Sequence, residues 1–235
     1  MSTIDYPDKP CSVLFLGGCP FRCPFCQNPD LVLARDCREI EVDELVKRFE
    51  DNREFIDAIT ITGGEPLAQA KALKELCKKL KEKGFKVKID TNGYYPEELE
   101  DILPLVDAVA MDLKTRLEPA EYKKATGFAG DAEELLKKVL QSIEVIKKFK
   151  GFKEFRTTVV PGLNDSAEDV KSAASAVPFA DKYAVQQFRS DFEVLDPAYK
   201  KVPNTAKEKL FELAAVAKAF VANVVVKTLD GEYRV

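Results

Sequence analysis

The sequence predicts an α/β chain, an incomplete parallel barrel of six β/α units. Three observations carry that expectation. Apolar runs of strand length alternate with helix-period stretches along the whole chain, the βαβ pattern of a parallel sheet. Polar residues cluster where each of the first six runs ends. The 235 residues contain no linker, repeat or low-complexity tract, so a single domain over residues 1–235 is expected. An open doubly wound sheet is the competing architecture. It would gather ligand groups at one switch point, whereas a barrel lines a shared mouth with every strand end. Six polar strand ends favour the barrel.

The elements follow in order. Residues 12–16 (Ser-Val-Leu-Phe-Leu) form the first strand, closed by Gly17-Gly18 and a cysteine-rich loop. Residues 29–40 read as irregular. Residues 41–49 are amphipathic with acids in the first turn, a helix. Residues 55–62 make the second strand, ending in Gly63-Gly64-Glu65-Pro66, and a helix follows over 67–83, stopped by Gly84. The third strand is 85–90, ending Thr91-Asn92-Gly93. A short helix starts with Pro96. The fourth strand is 108–113, and a short helical turn covers 119–125. Asp131 caps a helix that runs to Lys148. The fifth strand is 155–160, stopped by Pro161-Gly162, with Arg156 at its start. A helix spans 166–176, the sixth strand 183–187, a last helix 204–219 capped by Asn204, and a closing strand 224–227.

Composition removes whole classes of function. The net charge is −4 and no basic stripe is present, which argues against a nucleic-acid surface. No apolar run approaches the roughly 20 residues of a membrane span. The first residues, Met1-Ser2-Thr3-Ile4-Asp5, lack the charged and apolar regions of a signal peptide. Six cysteines without an export signal point to a reducing cytoplasm. The chain has no histidine, which excludes Ser-His-Asp and Cys-His enzymes and the commonest metal ligand.

Three of the six cysteines, Cys19, Cys23 and Cys26, stand at C-x3-C-x2-C spacing just after the first strand. Three thiolates held by so short a loop call for a metal or a cluster. Tetrahedral zinc would need a fourth ligand from Cys11, Cys37 or Cys77. A four-iron cluster normally takes four cysteines; with three, one iron stays open to a substrate or cofactor. Both readings stand on spacing alone. The other polar ends add candidates. Gly63-Gly64 permits close backbone approach to a ligand or marks a tight turn. Asp112 and Lys114, at i and i+2, face one side. Asp90, Thr91 and Asp112 could gather a hard cation. Arg156 among apolar residues needs a partner, which a carboxylate ligand would supply, or it is a snorkelling arginine on a surface strand. Gln186, Gln187 and Arg189 close the sixth strand.

The cysteine loop, with Phe25 before its third cysteine, together with Gly63-Gly64-Glu65-Pro66, resembles the radical S-adenosylmethionine (SAM) enzymes. Cys26-Gln27-Asn28-Pro29, Asp90-Thr91-Asn92-Gly93, Met111-Asp112-Leu113-Lys114 and Arg156 with Val159-Val160-Pro161-Gly162 resemble its glycyl-radical activating subgroup. Gln186-Gln187-Phe188-Arg189 looks most like the activating proteins of anaerobic ribonucleotide reductase. The resemblance covers nearly the whole chain.

It implies a partial (β/α)6 barrel of the radical SAM type, a [4Fe–4S] cluster on Cys19, Cys23 and Cys26, and SAM chelated to the open iron. Gly63, Gly64 and Glu65 would hold the SAM amino end, and Asp112 and Lys114 would lie near its amino and carboxylate groups. Phe25 would sit near the adenine, Arg156 near the tail and Arg189 near the ribose. Asp90, Thr91, Asp112 and the Ala110 carbonyl match a monovalent cation site. The implied partners are a glycyl-radical enzyme, anaerobic ribonucleotide reductase first, and a low-potential donor such as ferredoxin or flavodoxin. Two positions depart from relatives, which carry histidine where this chain has Gln27 and Arg189. No second cysteine-rich insertion exists, so Cys11, Cys37 and Cys77 are expected to be structural thiols. Two alternatives remain: a radical SAM enzyme acting on a small molecule or another macromolecule, and a non-enzymatic iron–sulfur or zinc module.

Overall fold

A computed structural model describes residues 1–35 and 37–235. One sheet of eight strands organises them: β1 (Cys11–Leu16), β2 (Ala58–Gly63), β3 (Lys86–Thr91), β4 (Ala108–Asp112), β5 (Phe152–Val159), β6 (Lys182–Gln187), β7 (Val224–Thr228) and β8 (Gly231–Arg234). Their spatial order is their chain order. Neighbours from β1 to β7 pair in parallel, and β8 returns antiparallel on β7. A sequential order has no point where the winding reverses, so the doubly wound sheet is excluded. The sheet does not close, because β1 and β8 are its two edges.

Eight helices accompany the strands among the described residues: α1 (Pro29–Val32), α2 (Val42–Glu50), α3 (Ala70–Glu82), α4 (Pro96–Ile102), α5 (Pro119–Thr126), α6 (Ala132–Lys148), α7 (Ala167–Ser175) and α8 (Lys207–Lys218). Their local causes are legible. Asp131 accepts the Glu134 N–H at 2.9 Å and caps α6, whose first turn carries Glu133 and Glu134 and whose last carries Lys147 and Lys148. Leu135, Val139, Ile143 and Ile146 recur at helical spacing and are the buried stripe. In α7, Ser166 and Asp169 form a reciprocal capping box.

The two faces of the sheet differ. Ile59, Ile61, Val87, Ile89, Val109 and Phe155 pack against the helices and are almost fully buried. Alternate residues point to the other, inner face. There small and charged side chains predominate: Cys11, Ala58 and Ala108 low down, then Lys88, Asp90, Glu154 and Arg156, with Phe15 and Phe152 on the same face. An inner face of this kind leaves room above a narrow floor, and the N-terminal segment helps to close that floor. The Asp5 carbonyl accepts from Lys88 Nζ at 2.9 Å and from Thr60 Oγ1 at 3.1 Å.

Several boundaries differ from expectation. A 3₁₀ turn over Pro66–Gln69 precedes α3, because Glu65 caps it and redirects the chain. The fifth strand begins at Phe152, so Arg156 lies in its middle, not at its start. Asn204 does not cap α8. Its Oδ1 accepts the Ser190 N–H at 2.8 Å instead, and α8 starts at Lys207 without a side-chain cap. The 29–40 stretch contains the single-turn α1; Asp36, also expected to be irregular, lies outside the described residues. β8 was not anticipated.

Glu154 gives the fold a pH signature. It is almost fully buried, and Lys227 Nζ lies 2.8 Å from its carboxylate. Burial alone would raise its pKa, but Lys227, Arg156 and Lys88 outweigh it and pull it to about 2. A folded pKa below the unfolded value means stability that is complete above the unfolded pKa near 4.5 and lost as pH falls towards 2. E154Q is expected to be roughly 2–3 kcal/mol less stable than wild type at pH 7, with the gap closing across that window. Urea unfolding at pH 7, 4 and 3 measures it, and a gap independent of pH would refute the assignment.

Candidate active site

The cysteine loop sits over the C-terminal ends of the strands, held on three sides. At its start, the Gly18 N–H donates to the Leu31 carbonyl (2.7 Å), and Gln69 Nε2 donates to the Gly17 carbonyl (2.9 Å). In the middle, the Arg22 N–H reaches the Thr126 carbonyl at the end of α5 (2.8 Å), while the Arg22 guanidinium folds back onto the Cys19 and Phe21 carbonyls. At its end, Leu195 and Asp196 donate backbone N–H groups to the Cys26 and Pro24 carbonyls (2.9 and 3.0 Å). Gln27 Nε2 donates to the Arg189 carbonyl at 2.6 Å. The loop is therefore braced by chain segments from both halves of the molecule.

The glycine pair explains how the second strand end meets this loop. The Gly64 N–H donates to the Leu16 carbonyl (2.8 Å) and the Glu65 N–H to the Gly18 carbonyl (2.7 Å). Gly63 has φ +132°, and a Cβ there would lie 2.3 Å from the Leu16 oxygen; one at Gly64 would lie 2.2 Å from the Gly18 oxygen. Only glycine permits this approach.

Glu65 does not face the mouth. Its buried carboxylate accepts from Leu67 N–H (3.1 Å), Thr91 Oγ1 (2.9 Å) and Asn92 N–H (2.7 Å), clamping the second strand end to the third. Burial raises its pKa to about 7 against those three hydrogen bonds. Asn92, in an Asn-Gly turn assigned no role from the sequence, stands against the loop: its Nδ2 lies 3.5 Å from Cys19 Sγ. The turn that places it is legible afterwards, since Asn92 Oδ1 accepts the Tyr94 N–H and Gly93 takes φ +78°.

Below the loop lies a charged group on the inner face. Arg156 Nε donates to Asp112 Oδ1 (2.7 Å) and its Nη1 to Asp90 Oδ2 (3.0 Å). Lys114 Nζ donates to Asp112 Oδ2 (2.8 Å), and Lys88 Nζ stands 2.7 Å from Asp90 Oδ1 without hydrogen-bond alignment. Burial would raise the Asp112 pKa, but Arg156 and Lys114 hold the carboxyl well below the usual range. Both aspartates thus already have two cationic partners each, and Thr91 Oγ1 is turned to Glu65. The expected monovalent cation site on Asp90, Thr91 and Asp112 is a salt-bridge network in this structure. Its positive charge comes from Arg156, Lys88 and Lys114.

These residues surround one cavity of about 270 Å³. Cys19, Cys23, Cys26, Phe25, Gly63, Gly64, Asp90, Thr91, Asp112, Lys114 and Arg156, all anticipated from sequence, line it. So do Asn92, Thr62, Thr158 and Gln186, which were not assigned roles. Two residues anticipated as SAM contacts do not line it. Glu65 is the clamp just described. Arg189 pairs with Asp191 and lies over the Phe192 ring, 4.4 Å from its centroid, lending the site only its carbonyl.

The donor set fits a cluster better than a single ion. Cys19, Cys23 and Cys26 all line the cavity and among the described residues no fourth cysteine does, a set one short of tetrahedral zinc and suited to a four-iron cluster with one open iron. Burial pushes the Cys19 thiol up to about 11 and the Cys23 thiol to about 12, so a metal binding there must displace their protons. Cys11 and Cys77 are buried away from the cavity, and the exposed Cys37 does not line it either.

Residues 13–174 match the Radical SAM superfamily. The chain is 41% identical over 237 aligned positions to a candidate glycyl-radical enzyme activating enzyme of Methanocaldococcus jannaschii, covering all of this chain and 96% of that one. It is 32% identical over 171 positions to the pyruvate formate-lyase-activating enzyme of Clostridium pasteurianum, covering 71% and 68% of the two. Among solved structures, Streptococcus suis SuiB bound to S-adenosylmethionine superposes with a TM-score of 0.71 over 93% of this chain and 50% of that one, at 14% identity, which bears out the fold. The chain belongs to the radical SAM superfamily, and within it to the glycyl-radical enzyme activating enzymes.

Proposed function

We propose that this enzyme installs a glycyl radical on anaerobic ribonucleotide reductase, using a [4Fe–4S] cluster on Cys19, Cys23 and Cys26 and SAM bound in the adjoining cavity. Held by those three thiolates, the cluster would supply the single electron that cleaves the SAM sulfonium, and that cleavage would drive hydrogen abstraction at the partner's glycine Cα. The observation that carries the reading is the single cavity joining three thiols to the Gly63-Gly64 backbone and to the Asp112–Lys114–Arg156 group.

The chain's own residues would hold the zwitterionic end of SAM by charge. Lys114 and Arg156 offer cationic donors to a carboxylate, and Asp112 offers an acceptor to an ammonium group. Phe25 lines the same cavity as an aromatic wall for the adenine. Glu65 acts behind them as a positioning residue. The low-potential electron would come from a ferredoxin or flavodoxin. A cation at Asp90 and Asp112 would have to displace Arg156 or Lys88, so we assign its role to those side chains.

The test is anaerobic reconstitution with iron and sulfide, then incubation with SAM, reductant and purified anaerobic ribonucleotide reductase. A glycine-centred electron paramagnetic resonance signal on the reductase, with stoichiometric 5′-deoxyadenosine, is expected. If deoxyadenosine forms and the signal arises only on a different glycyl-radical enzyme, the partner is wrong; if none forms, the reaction class is wrong.

Asn92 should tune this electron. A donor to a ligating thiolate favours the more negative, reduced cluster. N92A is expected to lower the reduction potential by on the order of 50 mV, roughly tenfold in the one-electron equilibrium, with iron content retained. Spectroelectrochemical titration reads it directly, and an unchanged potential would rule out the contact.

A further inference from the structure

We propose that the free edge of β1 is the docking strip for an extended segment of the glycyl-radical partner, which adds as a strand beside Val13 and Phe15. This rests on the activase reading above and names the surface that serves it.

The backbone of β1 points two ways. The Pro10 carbonyl accepts from Asp57 and Ala58 N–H groups, and the Leu16 carbonyl accepts from Gly64 N–H, so even-numbered residues bond towards β2. Cys11 turns the other way, exchanging bonds of 2.7 and 2.8 Å with Ser2 in an isolated antiparallel bridge. Alternation puts Val13 and Phe15 on the Cys11 side. β1 pairs with no strand but β2, and outside that ladder no hydrogen bond among the described residues reaches the N–H or C=O of either. One residue of an extended segment is thus already seated on this edge, and the next two places along it are vacant.

The two edges of the sheet are dressed differently. β8 (Gly-Glu-Tyr-Arg) carries Glu232 and Arg234, and Glu232 is ion-paired with Lys182 at 2.7 Å. Charges of this kind protect an edge from foreign strands. β1 (Cys-Ser-Val-Leu-Phe-Leu) carries no charge in a chain that is 32% charged. Phe15 is 53% exposed. It shares the inner face with Cys11, whose Sγ takes the Thr60 hydroxyl, and its register partner is Thr62, which lines the cavity. An unguarded edge with an aromatic side chain therefore runs straight into the cysteine loop.

The chemistry favours backbone recognition. The atom to be abstracted is on a glycine, which offers no side chain to grip. A strand added to a sheet edge is held by main-chain bonds in fixed register, while one side pocket supplies selectivity. Here Phe15 would supply it.

The experiment compares V13P and F15K with wild type. Proline at position 13 removes only the outward N–H, since the bonds to β2 use residues 12, 14 and 16. F15K places a charge on the edge without touching the backbone. Two readouts are taken on reconstituted protein: affinity for anaerobic ribonucleotide reductase with glycyl-radical yield, and 5′-deoxyadenosine released by dithionite without partner. Both variants are expected to weaken partner affinity at least tenfold while partner-independent cleavage stays within twofold. Wild-type affinity and radical yield in both variants would overturn the docking strip and leave the activase reading standing. A wild type that cleaves SAM but gives no glycyl radical on any partner would overturn both. A wild-type dimer in sedimentation that V13P dissolves would assign the edge to a second copy of this chain, against the proposal.

Discussion

Gly64→Ala is expected to remove ~3 kcal/mol or more of stability from the apo-protein and to abolish iron incorporation. The added Cβ would stand 2.2 Å from the Gly18 oxygen, 2.8 Å from its carbonyl carbon and 3.3 Å from Cys19 Cβ. No flexible side chain is available to give way. The Gly18 carbonyl is fixed by the Glu65 N–H, and Gly64 is itself fixed to Leu16. Relief requires breaking the Glu65–Gly18 bond, which shifts Cys19. Gly18→Ala is the control. Position 18 has φ +93° but open space around a Cβ, so it carries conformational strain alone, roughly 1 kcal/mol. Denaturant unfolding of the two apo-variants, with iron and sulfide analysis after reconstitution, separates steric collision from backbone preference. Equal stability of the two would show that the loop yields to the methyl group and that the glycine pair does not set the position of Cys19.

That expectation also shows what could be read in advance. The cysteines, the glycine pair, Asp112, Lys114 and Arg156 were legible because each lies within a few residues of a strand end, and strand ends in a parallel sheet share one rim. Glu65 was legible as a residue and misjudged in direction. Its carboxylate turns towards Thr91 and Asn92, a choice made by the third strand end and invisible in local spacing. Asn92 was hidden for the same reason, as Asn-Gly is a turn signal wherever it occurs. Arg189 was drawn out of the cavity by Asp191 and Phe192, two and three residues further on. The pairing of Asp90 and Asp112 was hidden because three cationic side chains from β3, β5 and the residues after β4 meet at the two aspartates, and only the fold brings them together. β8 escaped because Gly-Glu-Tyr-Arg has no apolar alternation to mark it.

Arg156→Met tests that convergence. Arg156 bonds two carboxylates, Asp90 and Asp112, whose side chains are 11% and 30% exposed. Without it, Asp90 retains only Lys88, in poor alignment, and Asp112 retains only Lys114. Removing one member of a buried charge group leaves the others uncompensated, at ~3–5 kcal/mol. R156M is expected to lose that much stability without any ligand present, and to weaken SAM binding roughly tenfold or more through loss of a guanidinium in the cavity. If the stability loss comes from excess negative charge, D90N should relieve it. The double variant D90N/R156M should then be more stable than the two separate losses would predict, a coupling that denaturant unfolding resolves. SAM affinity would not follow, because the amide restores charge balance without restoring the guanidinium. A double variant that recovers stability and still binds SAM weakly separates the two roles of Arg156, one in the fold and one towards the ligand. Strict additivity would mean that Asp90 and Arg156 act independently despite their 3.0 Å contact, and the network reading of this site would fail.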